Sequence, residues 1–489
     1  MNSIWTETIN MEERPALQGD VTTDTVVIGS GLAGVLIAYF LQQKGIHTVV
    51  LEADRIGSGQ TKNTTAKITI QHNLIYDKLI NNFGIEKASQ YAQINQQAIK
   101  EYKTIINQKK IDCSFMDMPA YLYSKEEQGM KKLQQEEIAA KKLGIQAEFT
   151  TSTTLPFPVT GALKFSDQGQ FNPLAFLQAI SKELTIFEQT KVIGVEDNRV
   201  ITNRGIVTAK HIVFATHFPF INAPGFYFAR MHQERSYVLA LEHAAKLDGM
   251  YLGIDKESLS FRNYNDLLLL GGGGHRTGEN SKGGKYTLLR EQANIFYPQS
   301  KETLHWSAQD CMTLDSVPYI GQFSASTPNW YVATGFGKWG MTSSMVSAIL
   351  ISDYITGAEH PCSSVFSPLR FTPTASMSAF VTNMGQAVKG ISKRAFSYNQ
   401  IDAKDLPAGH GGVVEYKDEK VGVYKDEQNR IFVVSVRCPH LGCQLEWNPD
   451  EKSWDCPCHG SRFDYKGKLL NNPALTNLED IYNEENHKE

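Results

Sequence analysis

The sequence predicts a chain of three parts: an α/β domain, an α+β domain inserted into it, and a small all-β domain at the C-terminal end. Two observations lead to this fold class. A strand, a glycine-rich turn and a helix follow one another within residues 25–45. A compact group of Cys and His residues lies in the β-rich segment 438–461. The length of 489 residues suits about three domains of ordinary size.

Composition and charge exclude several classes of protein. A net charge of −4 gives no reason to expect a nucleic-acid partner. No apolar run approaches the roughly eighteen residues of a transmembrane helix, and the first residues lack the basic and apolar regions of a signal peptide. The scattered cysteines Cys113, Cys311 and Cys362 are typical of reduced thiols, which predicts a cytoplasmic protein.

The first chemical motif is a glycine turn between two short β-branched runs, residues 25–28 and 48–51. Glycines allow the amides at a helix N-terminus to approach a pyrophosphate, and an acid after the second strand can bind ribose hydroxyls. The pattern therefore predicts a dinucleotide site, and the alternative is a glycine-rich turn in another βαβ unit. The motif residues are Gly29, Gly31, Gly34 and Glu52.

Several further stretches resemble the FAD enzymes of the D-amino-acid oxidase superfamily, which includes glycine, sarcosine and γ-glutamylputrescine oxidases. The stretches are Arg55–Lys67, Gln168–Pro173, His211–Thr216, Asp315–Gly321 and Ala333–Gly340. The resemblance implies a Rossmann-like FAD-binding domain built from separated segments, and an α+β substrate domain over the flavin. It also implies FAD contacts by Thr64, Thr65, Lys67, Asp315, Gly335, Gly337, Gly340 and Met341.

The expected domain boundaries follow from the placement of these stretches. The FAD-binding domain would comprise residues 1–75, 151–225 and 306–360, the substrate domain 76–150 and 226–305, a linker with a helix 361–400, and the all-β domain 401–489. The glycine run 271–274 is not expected to be a second dinucleotide turn, because no third glycine or helix follows at the needed offset.

The second glycine block ends where a helix is predicted, from Met341 to Ile355, with Gly340 at its start. The amides and the dipole of this helix N-terminus would face the pyrimidine edge of the flavin and stabilise the anionic reduced ring. The apolar spacing of Met345, Ile349 and Ile351 also suits an ordinary core helix, and both interpretations can hold together.

Few residues are needed for amine oxidation by a flavin, because orientation of the substrate supplies most of the effect. In the superfamily that this chain resembles, Arg side chains hold the substrate carboxylate, since a guanidinium binds it through two hydrogen bonds. The alternative for each cation is an ordinary surface position. The candidates are Arg235, Arg262, Arg276, His275 and Lys338.

The mode of FAD attachment is expected to be noncovalent. Some relatives attach the flavin through a His in the loop after the second strand, and Asn63 occupies that approximate position. Cys311, close to the later glycine block, leaves a thioether open as the alternative.

The second chemical motif is a pair of short Cys/His groups, Cys438-Pro-His440 and Cys456-Pro-Cys458-His459. Two thiolates and two imidazoles are the donors of an iron–sulfur cluster with Cys on one iron and His on the other. The alternatives are a zinc site and unligated loop cysteines, although zinc ribbons usually present Cys-x-x-Cys knuckles.

This stretch resembles a Rieske 2Fe–2S domain of the cytochrome bc and b6f type. The resemblance implies that Cys438 and Cys456 bind one iron and that His440 and His459 bind the other. Because this subtype places a disulfide between its two cluster loops, the resemblance also implies a bond between Cys443 and Cys458. Such a disulfide would be a local exception in a cytoplasmic protein.

Together the two resemblances imply an FAD-dependent amine or amino-acid dehydrogenase with a fused Rieske domain. An external acceptor of unknown identity would take the electrons that leave the cluster. One alternative reverses the electron flow, from a reduced carrier through the cluster to FAD. Another is a non-catalytic redox sensor.

Overall fold

The computed structural model describes residues 2–370, 406–416 and 419–481, together with the single residues 381 and 385. The helices are α1 Ile4–Thr8, α2 Leu32–Gln43, α3 Tyr76–Lys109, α4 Glu127–Lys142, α5 Pro173–Ser181, α6 Tyr227–Arg230, α7 Lys285–Phe296, α8 Gly340–Ile355 and α9 Ser363–Phe366, and a 3-10 helix spans Gln60–Asn63.

The strands of the first 300 residues are β1 Val21–Ile28, β2 Thr48–Leu51, β3 Lys67–Ile68, β4 Met116–Asp117, β5 Ala120–Ser124, β6 Ala147–Thr150, β7 Gly161–Phe165, β8 Gly169–Gln170, β9 Thr185–Phe187, β10 Val192–Glu196, β11 Arg199–Thr202, β12 Ile206–Phe214, β13 Met231–Glu242, β14 Met250–Gly253, β15 Ser260–Tyr264 and β16 Leu267–Arg276. The later strands are β17 Lys301–Thr313, β18 Tyr319–Ser324, β19 Thr327–Thr334, β20 Gly411–Tyr416, β21 Glu419–Lys425, β22 Ile431–Ser435, β23 Glu446–Asn448, β24 Ser453–Asp455, β25 Arg462–Asp464 and β26 Leu469–Asn471.

A largely parallel sheet forms the α/β part of the chain. Its strands follow the order β10-β11-β12-β1-β2-β9, and β19 lies beside β12. β1 runs parallel to both β2 and β12, so that Val27 is level with Val50 and Val213. These three valines are fully buried, as strands covered on both faces require. The structure confirms the predicted α/β class, and β2 occupies the same residues, 48–51, as the predicted second strand.

A second eight-stranded sheet, with the order β17-β13-β16-β15-β14-β5-β7-β6, accounts for the α+β part. The glycine run 271–274 lies inside β16, where Gly271 is level with Ser260 of β15. That run therefore belongs to a strand, in which Gly273 has a φ of +66°.

The C-terminal segment forms two small antiparallel sheets, β20-β21-β22 and β23-β24-β25-β26. Its apolar side chains pack into a core of their own around Trp454 and Phe463, both fully buried. The four cysteines of this segment belong to the same core, which confirms the predicted all-β class.

The described chain separates into two compact units. The first combines residues up to His217 with Ser236–Gly273 and the segment that begins at Tyr286. The second combines Phe218–Arg235 and Gly274–Lys285 with the C-terminal segment. The structure thus divides the segment 226–305, which the sequence assigns to the substrate domain, between the two units.

The predicted linker 361–400 is only partly described. Its first residues contain the short helix α9. The predicted helical stripe from Met377 to Ile391, and the expected start of the all-β domain near Ile401, lie outside the described residues. Within the described ranges, no helix has both the length and the apolar character needed to cross a membrane.

Candidate functional site

The turn at the end of β1 contains three motif glycines. The fold leaves no room for a side chain at Gly29 and Gly34, whereas it does allow one at Gly31. Gly29 has φ +104°, and a Cβ there would lie 2.6 Å from the Ala215 carbonyl oxygen. A Cβ at Gly34 would lie 1.9 Å from the Gly29 oxygen. Gly31 caps α2 with an ordinary φ of −67°, and its nearest neighbour would be Thr61 Oγ1 at 3.5 Å. A Cβ at Gly31 would therefore make only an ordinary contact, at the helix N-terminus where a pyrophosphate would bind.

Glu52, which directly follows β2, forms hydrogen bonds to the glycine turn. The Glu52 carboxylate accepts hydrogen bonds from the Ser30 amide at 2.9 Å and hydroxyl at 2.7 Å, and from the Asp54 amide at 2.9 Å. Burial raises the pKa of Glu52, although these three donors oppose the shift. The carboxylate thus lies beside the glycine turn, as the FAD-binding interpretation requires.

The loop predicted to wrap the flavin is held by Arg262, one of the proposed substrate cations. The guanidinium donates to the carbonyl oxygens of Thr65, Ala66 and Phe171 and to Gln170 Oε1, the last at 3.0 Å. Arg262 is buried, and burial lowers its pKa to about 9. These contacts make Arg262 a support for the loop backbone, and four of its hydrogen bonds are already used there.

Lys67, predicted to contact FAD, lies in β3 at the end of the same loop. Its ammonium donates to Ser260 Oγ at 2.6 Å and to the Tyr251 carbonyl oxygen at 3.2 Å. Burial lowers its pKa to about 7, and the positive charge of Arg262 adds to the shift. Both states of the Lys67 amine are therefore accessible near neutral pH.

The lowered pKa predicts how stability depends on pH. An unfolded chain keeps the Lys67 proton up to the ordinary pKa of 10.5, while the folded chain loses it near 7. Between these values the unfolded state binds more protons, so this residue makes the free energy of unfolding rise with pH, by at most about 1.4 kcal/mol per pH unit. We expect the stability of Lys67→Met, relative to the native protein, to be greatest near pH 7 and to decline toward pH 10.

Thermal unfolding of the FAD-saturated proteins between pH 7 and 10 measures this difference. Lys246→Met is the matched control, because the Lys246 side chain is 75% exposed and pairs with Asp266 at the surface. Parallel curves for the native protein and Lys67→Met would show that Lys67 does not titrate in this range.

The second glycine block forms a backbone turn, and the long buried helix α8 follows it in the chain. Gly335 and Gly337 have φ of +72° and +56°, and the Gly337 amide donates to the Cys311 carbonyl oxygen at 2.8 Å. α8 begins at Gly340, and Met341 is buried with its carbonyl oxygen bound by the Tyr102 hydroxyl at 2.8 Å. The core-helix interpretation of α8 therefore holds, and its N-terminus begins at the predicted glycine.

Asp315, also predicted to contact FAD, forms a buried ion pair. Its two carboxylate oxygens accept from Arg370 Nε at 2.7 Å and Nη2 at 2.8 Å. Arg370 further donates to the Pro318 and Phe366 carbonyl oxygens, at 2.9 and 3.1 Å. In this arrangement Asp315 fastens the chain after α8 to the loop before β18.

A residue near α8 that the sequence did not indicate is His72. Its ring stacks on Trp339 with centroids 4.9 Å apart, and Nε2 lies 2.7 Å from the Thr69 carbonyl oxygen and 3.0 Å from Thr342 Oγ1. Burial lowers the pKa of His72 to about 3, so the ring is neutral at physiological pH. A lone His without a neighbouring motif gives no signal in the sequence.

The predicted substrate cations are divided between the two units. Arg262 and Lys338 belong to the first unit, whereas Arg235, Arg276 and His275 belong to the second. Lys338 Nζ lies 3.5 Å from Asp310. His275 Nδ1 lies 2.7 Å from the Arg276 carbonyl oxygen.

The Cys/His motif converges in the second unit. The Nδ1 atoms of His440 and His459 are 3.2 Å apart, and the Cys438 and Cys456 side chains hydrogen-bond to each other. The two imidazoles thus contact each other and the two thiols contact each other, and these are the donor types that an iron–sulfur cluster with mixed ligands uses. Ser461 also hydrogen-bonds to Cys438, and its Oγ accepts from the Ala474 amide at 3.0 Å.

The pKa values of three of these four residues favour metal binding. Burial lowers the pKa of His440 to about 4 and that of His459 to about 3, so both rings are neutral at pH 7. The hydrogen bond from Cys456 lowers the pKa of the Cys438 thiol to about 7. The same hydrogen bond, together with burial, raises the pKa of the Cys456 thiol, so a metal ion that binds there must displace its proton.

A disulfide joins Cys443 and Cys458, the pair that the Rieske resemblance implies, with Cα atoms 6.6 Å apart. The sulfurs of these two residues and of Cys456 lie within 4.8 Å of one another. Because two of the three are bonded to each other, Cys456 alone offers a thiol from this group. The disulfide therefore holds the two cluster loops together without competing for the iron.

The segments 218–235 and 274–285 contribute side chains to the cluster loops. Gln233 Nε2 donates to the His459 carbonyl oxygen at 2.7 Å, and Arg276 donates to the Pro457 and Cys458 carbonyl oxygens at 3.2 and 3.3 Å. These contacts assign Arg276 a place beside the cluster loop. Short polar segments without a motif could not have revealed these contacts in the sequence.

Arg235, proposed as a substrate cation, belongs instead to a buried charge network of the second unit. It pairs with Glu451 at 2.8 Å, and Arg462 pairs with both Glu451 at 3.4 Å and Asp455 at 2.9 Å. Burial tends to raise the pKa of Asp455, but the Arg462 and Arg235 charges hold it below its usual value. The network matches two cations to two carboxylates.

Comparison with known families identifies both motifs. The family model described as DAO, FAD dependent oxidoreductase, matches residues 24–354, and the model of the Rieske [2Fe-2S] domain matches residues 397–482. A protein of Bacillus subtilis (strain 168), YhfW, described as a Rieske 2Fe-2S iron–sulfur protein, is 36% identical over 98% of this chain and 97% of its own length. The cytochrome b6-f complex iron–sulfur subunit of Chlorobaculum tepidum is 34% identical over 14% of this chain and 39% of that subunit.

Among solved structures, glycine oxidase from Geobacillus kaustophilus superposes with a TM-score of 0.61 at 15% identity, covering 72% of this chain and 99% of that enzyme. L-amino acid deaminase from Proteus vulgaris gives 0.59 at 16% identity, over 74% of this chain and 100% of that enzyme. At such identities these structures share the fold of the FAD-binding part.

Proposed function

We propose that this chain, which belongs to the DAO family of FAD-dependent oxidoreductases and carries a C-terminal Rieske [2Fe-2S] domain, oxidises a C–N bond of a small amine or amino acid and delivers the electrons through the cluster to an external acceptor. The observation that carries the proposal is the presence of a DAO-family FAD-dependent oxidoreductase region and a Rieske [2Fe-2S] domain on one chain. FAD supplies two-electron oxidation of a substrate, and a 2Fe–2S cluster supplies one-electron transfer.

The residues proposed to form the FAD site have two roles. Some leave room for FAD or bind it, and others position the surrounding loop. Gly31 leaves room at the N-terminus of α2, and Glu52 offers an acceptor for ribose hydroxyls. Arg262 shapes the loop at Thr65. The N-terminal amides of α8, at Gly340 and Met341, would favour negative charge on a bound ring.

The residues proposed to hold the cluster are Cys438 and Cys456 on one iron and His440 and His459 on the other. Support comes from the convergence of the two Nδ1 atoms and from the contact between the two thiols. Zinc would accept the same donors, so iron analysis decides between the two metals.

The amine or amino-acid substrate class is supported by the solved structures of the same fold. Glycine oxidase, L-amino acid deaminase and an L-proline dehydrogenase from P. horikoshii (TM-score 0.60, 17% identity) carry amino-acid substrates in their names. Because Arg262 supports the loop and Arg235 lies in a charge network, Lys338 becomes the more attractive candidate to bind a carboxylate. Lys338 lies two residues before Gly340, the first residue of α8.

The experiment is anaerobic mixing of the purified protein with a panel of amines and amino acids. Flavin bleaching is followed by absorbance and cluster reduction by EPR in the same samples. We expect at least one compound to bleach the flavin and to reduce the cluster as well, and transfer to the cluster to be faster than transfer to oxygen, because fusion gives a high effective concentration.

Three results would contradict the proposal. Rapid hydrogen peroxide release with an oxidised cluster would indicate a plain oxidase. Flavin reduction by a reduced carrier, with no response to any amine, would indicate the reverse electron flow. A cluster that responds to redox poise, without turnover of any compound, would indicate a sensor.

A further inference from the structure

Asn222 contacts the imidazole of His440 from the segment 218–235. Its Oδ1 lies 2.7 Å from His440 Nε2, while the Nδ1 of the same ring faces His459 Nδ1 at 3.2 Å. The two nitrogens of His440 therefore have different surroundings. One faces an amide oxygen, and the other faces the second proposed His ligand.

An amide oxygen can only accept a hydrogen bond, so the proton of the neutral His440 ring must lie on Nε2. Nδ1 is then left with its lone pair, which is the state that a metal ligand requires. A hydrogen-bond acceptor on the distal nitrogen fixes the tautomer and the ring orientation of a ligating His, and it raises the basicity of the ring.

Other residues of the same segment restrict the two rings further. Phe228 packs edge-on against both imidazoles, with centroids 6.2 Å from His440 and 5.6 Å from His459. Gln233 Nε2 bonds the backbone of His459 at 2.7 Å and the Asn472 carbonyl oxygen at 3.2 Å. Of these side chains, Asn222 provides the contact to a ring nitrogen.

We propose that Asn222 is a positioning residue of the Rieske cluster, which accepts a hydrogen bond from Nε2–H of His440 and so directs Nδ1 toward the iron. The inference rests on the ligand set proposed above. An acceptor on Nε2–H makes the imidazole a stronger donor and stabilises the oxidised cluster, because that state carries less negative charge. Asn222 therefore lowers the reduction potential.

Two substitutions test this proposal in opposite directions. Asn222→Leu keeps the size but removes the acceptor, and we expect its cluster to be reduced at a higher potential. Asn222→Asp strengthens the acceptor, and we expect a lower potential. Each shift should reach about tenfold in the reduction equilibrium, which is about 59 mV for one electron. EPR-monitored redox titration of the full-length protein at one fixed pH measures it.

Asn280→Ala is the matched control. Asn280 lies in the other inserted segment, and its amide donates to Asn448 at 3.1 Å and to Asp450 at 2.8 Å. Its potential should equal that of the native protein. Equal shifts in Asn280→Ala and Asn222→Leu would reduce Asn222 to a packing role and overturn the proposal.

The EPR spectrum separates this proposal from the ligand set beneath it. If the native protein lacks iron, or if His440→Ala keeps a native spectrum, the ligand set itself is wrong. If the native protein has its cluster and both Asn222 variants keep the native spectrum and potential, only the role of Asn222 is wrong. Should Asn222→Leu fail to bind iron, a lowered potential in Asn222→Asp supports the role, and an unmoved or raised one overturns it.

Discussion

Cys456→Ser should yield a protein that contains FAD but no iron. Cys456 is one of the two proposed sulfur donors, and its side chain is buried in contact with Cys438. The hydroxyl of Ser is a poor ligand for an iron–sulfur cluster, which selects thiolates. FAD should be retained, because the C-terminal segment has its own apolar core. Iron and sulfide analysis, with the flavin absorbance, measures both results.

Cys362→Ser is the control, since Cys362 is equally buried and belongs to the core of the first unit. It should retain the native content of iron and FAD. Native protein that contains stoichiometric zinc and no iron would refute the Rieske ligand assignment. Iron retained in Cys456→Ser would show that this residue is not a ligand.

Gly31→Val should abolish stable FAD binding while the protein still folds. The Cβ at this position meets no atom closer than Thr61 Oγ1 at 3.5 Å, so the substitution fills the space at the N-terminus of α2 rather than displacing the fold. That space is where a pyrophosphate would approach the helix amides. We expect at least a tenfold loss of affinity, about 1.4 kcal/mol, by fluorescence titration of the apoprotein.

Gly194→Val provides the matched control, because Gly194 lies in a strand and a Cβ there would make only an ordinary contact of 3.9 Å with Ile201. Gly31→Ala serves if the Val variant does not fold, and it should lose affinity in the same direction. Full FAD occupancy in both Gly31 variants would exclude this turn as the binding site. Acid precipitation of the native protein then shows whether FAD is released, as noncovalent attachment requires.

The sequence predicted those features whose cause is local. The β-branched run 48–51 is a strand with the same bounds in the structure, and α8 begins at the predicted Gly340, because strand and helix signals depend on neighbouring residues. The two motif histidines contact each other, as do Cys438 and Cys456, although the assignment of these four residues as cluster ligands stays a prediction.

Features that depend on distant contacts were not predictable in this way. Arg262 had every property of a substrate cation, and only the fold shows it bound to the carbonyl oxygens of Thr65 and Ala66. Asn222 lies 218 residues from His440 in the sequence, in a segment without a motif. A contact of this kind involves no periodicity that a sequence pattern could reveal.

The network of Arg235, Glu451, Arg462 and Asp455 determines where this protein can be divided. A fragment that begins at residue 401 would keep both carboxylates and lose Arg235, so that Glu451 would lose the closer of these two guanidinium groups. Breaking a buried ion pair by removing one partner costs about 3–5 kcal/mol, a large share of the stability of a small domain. A domain that is to be transferred to another enzyme should therefore contain residues 218–235 and 274–285 together with the C-terminal all-β segment, because that segment alone lacks Arg235.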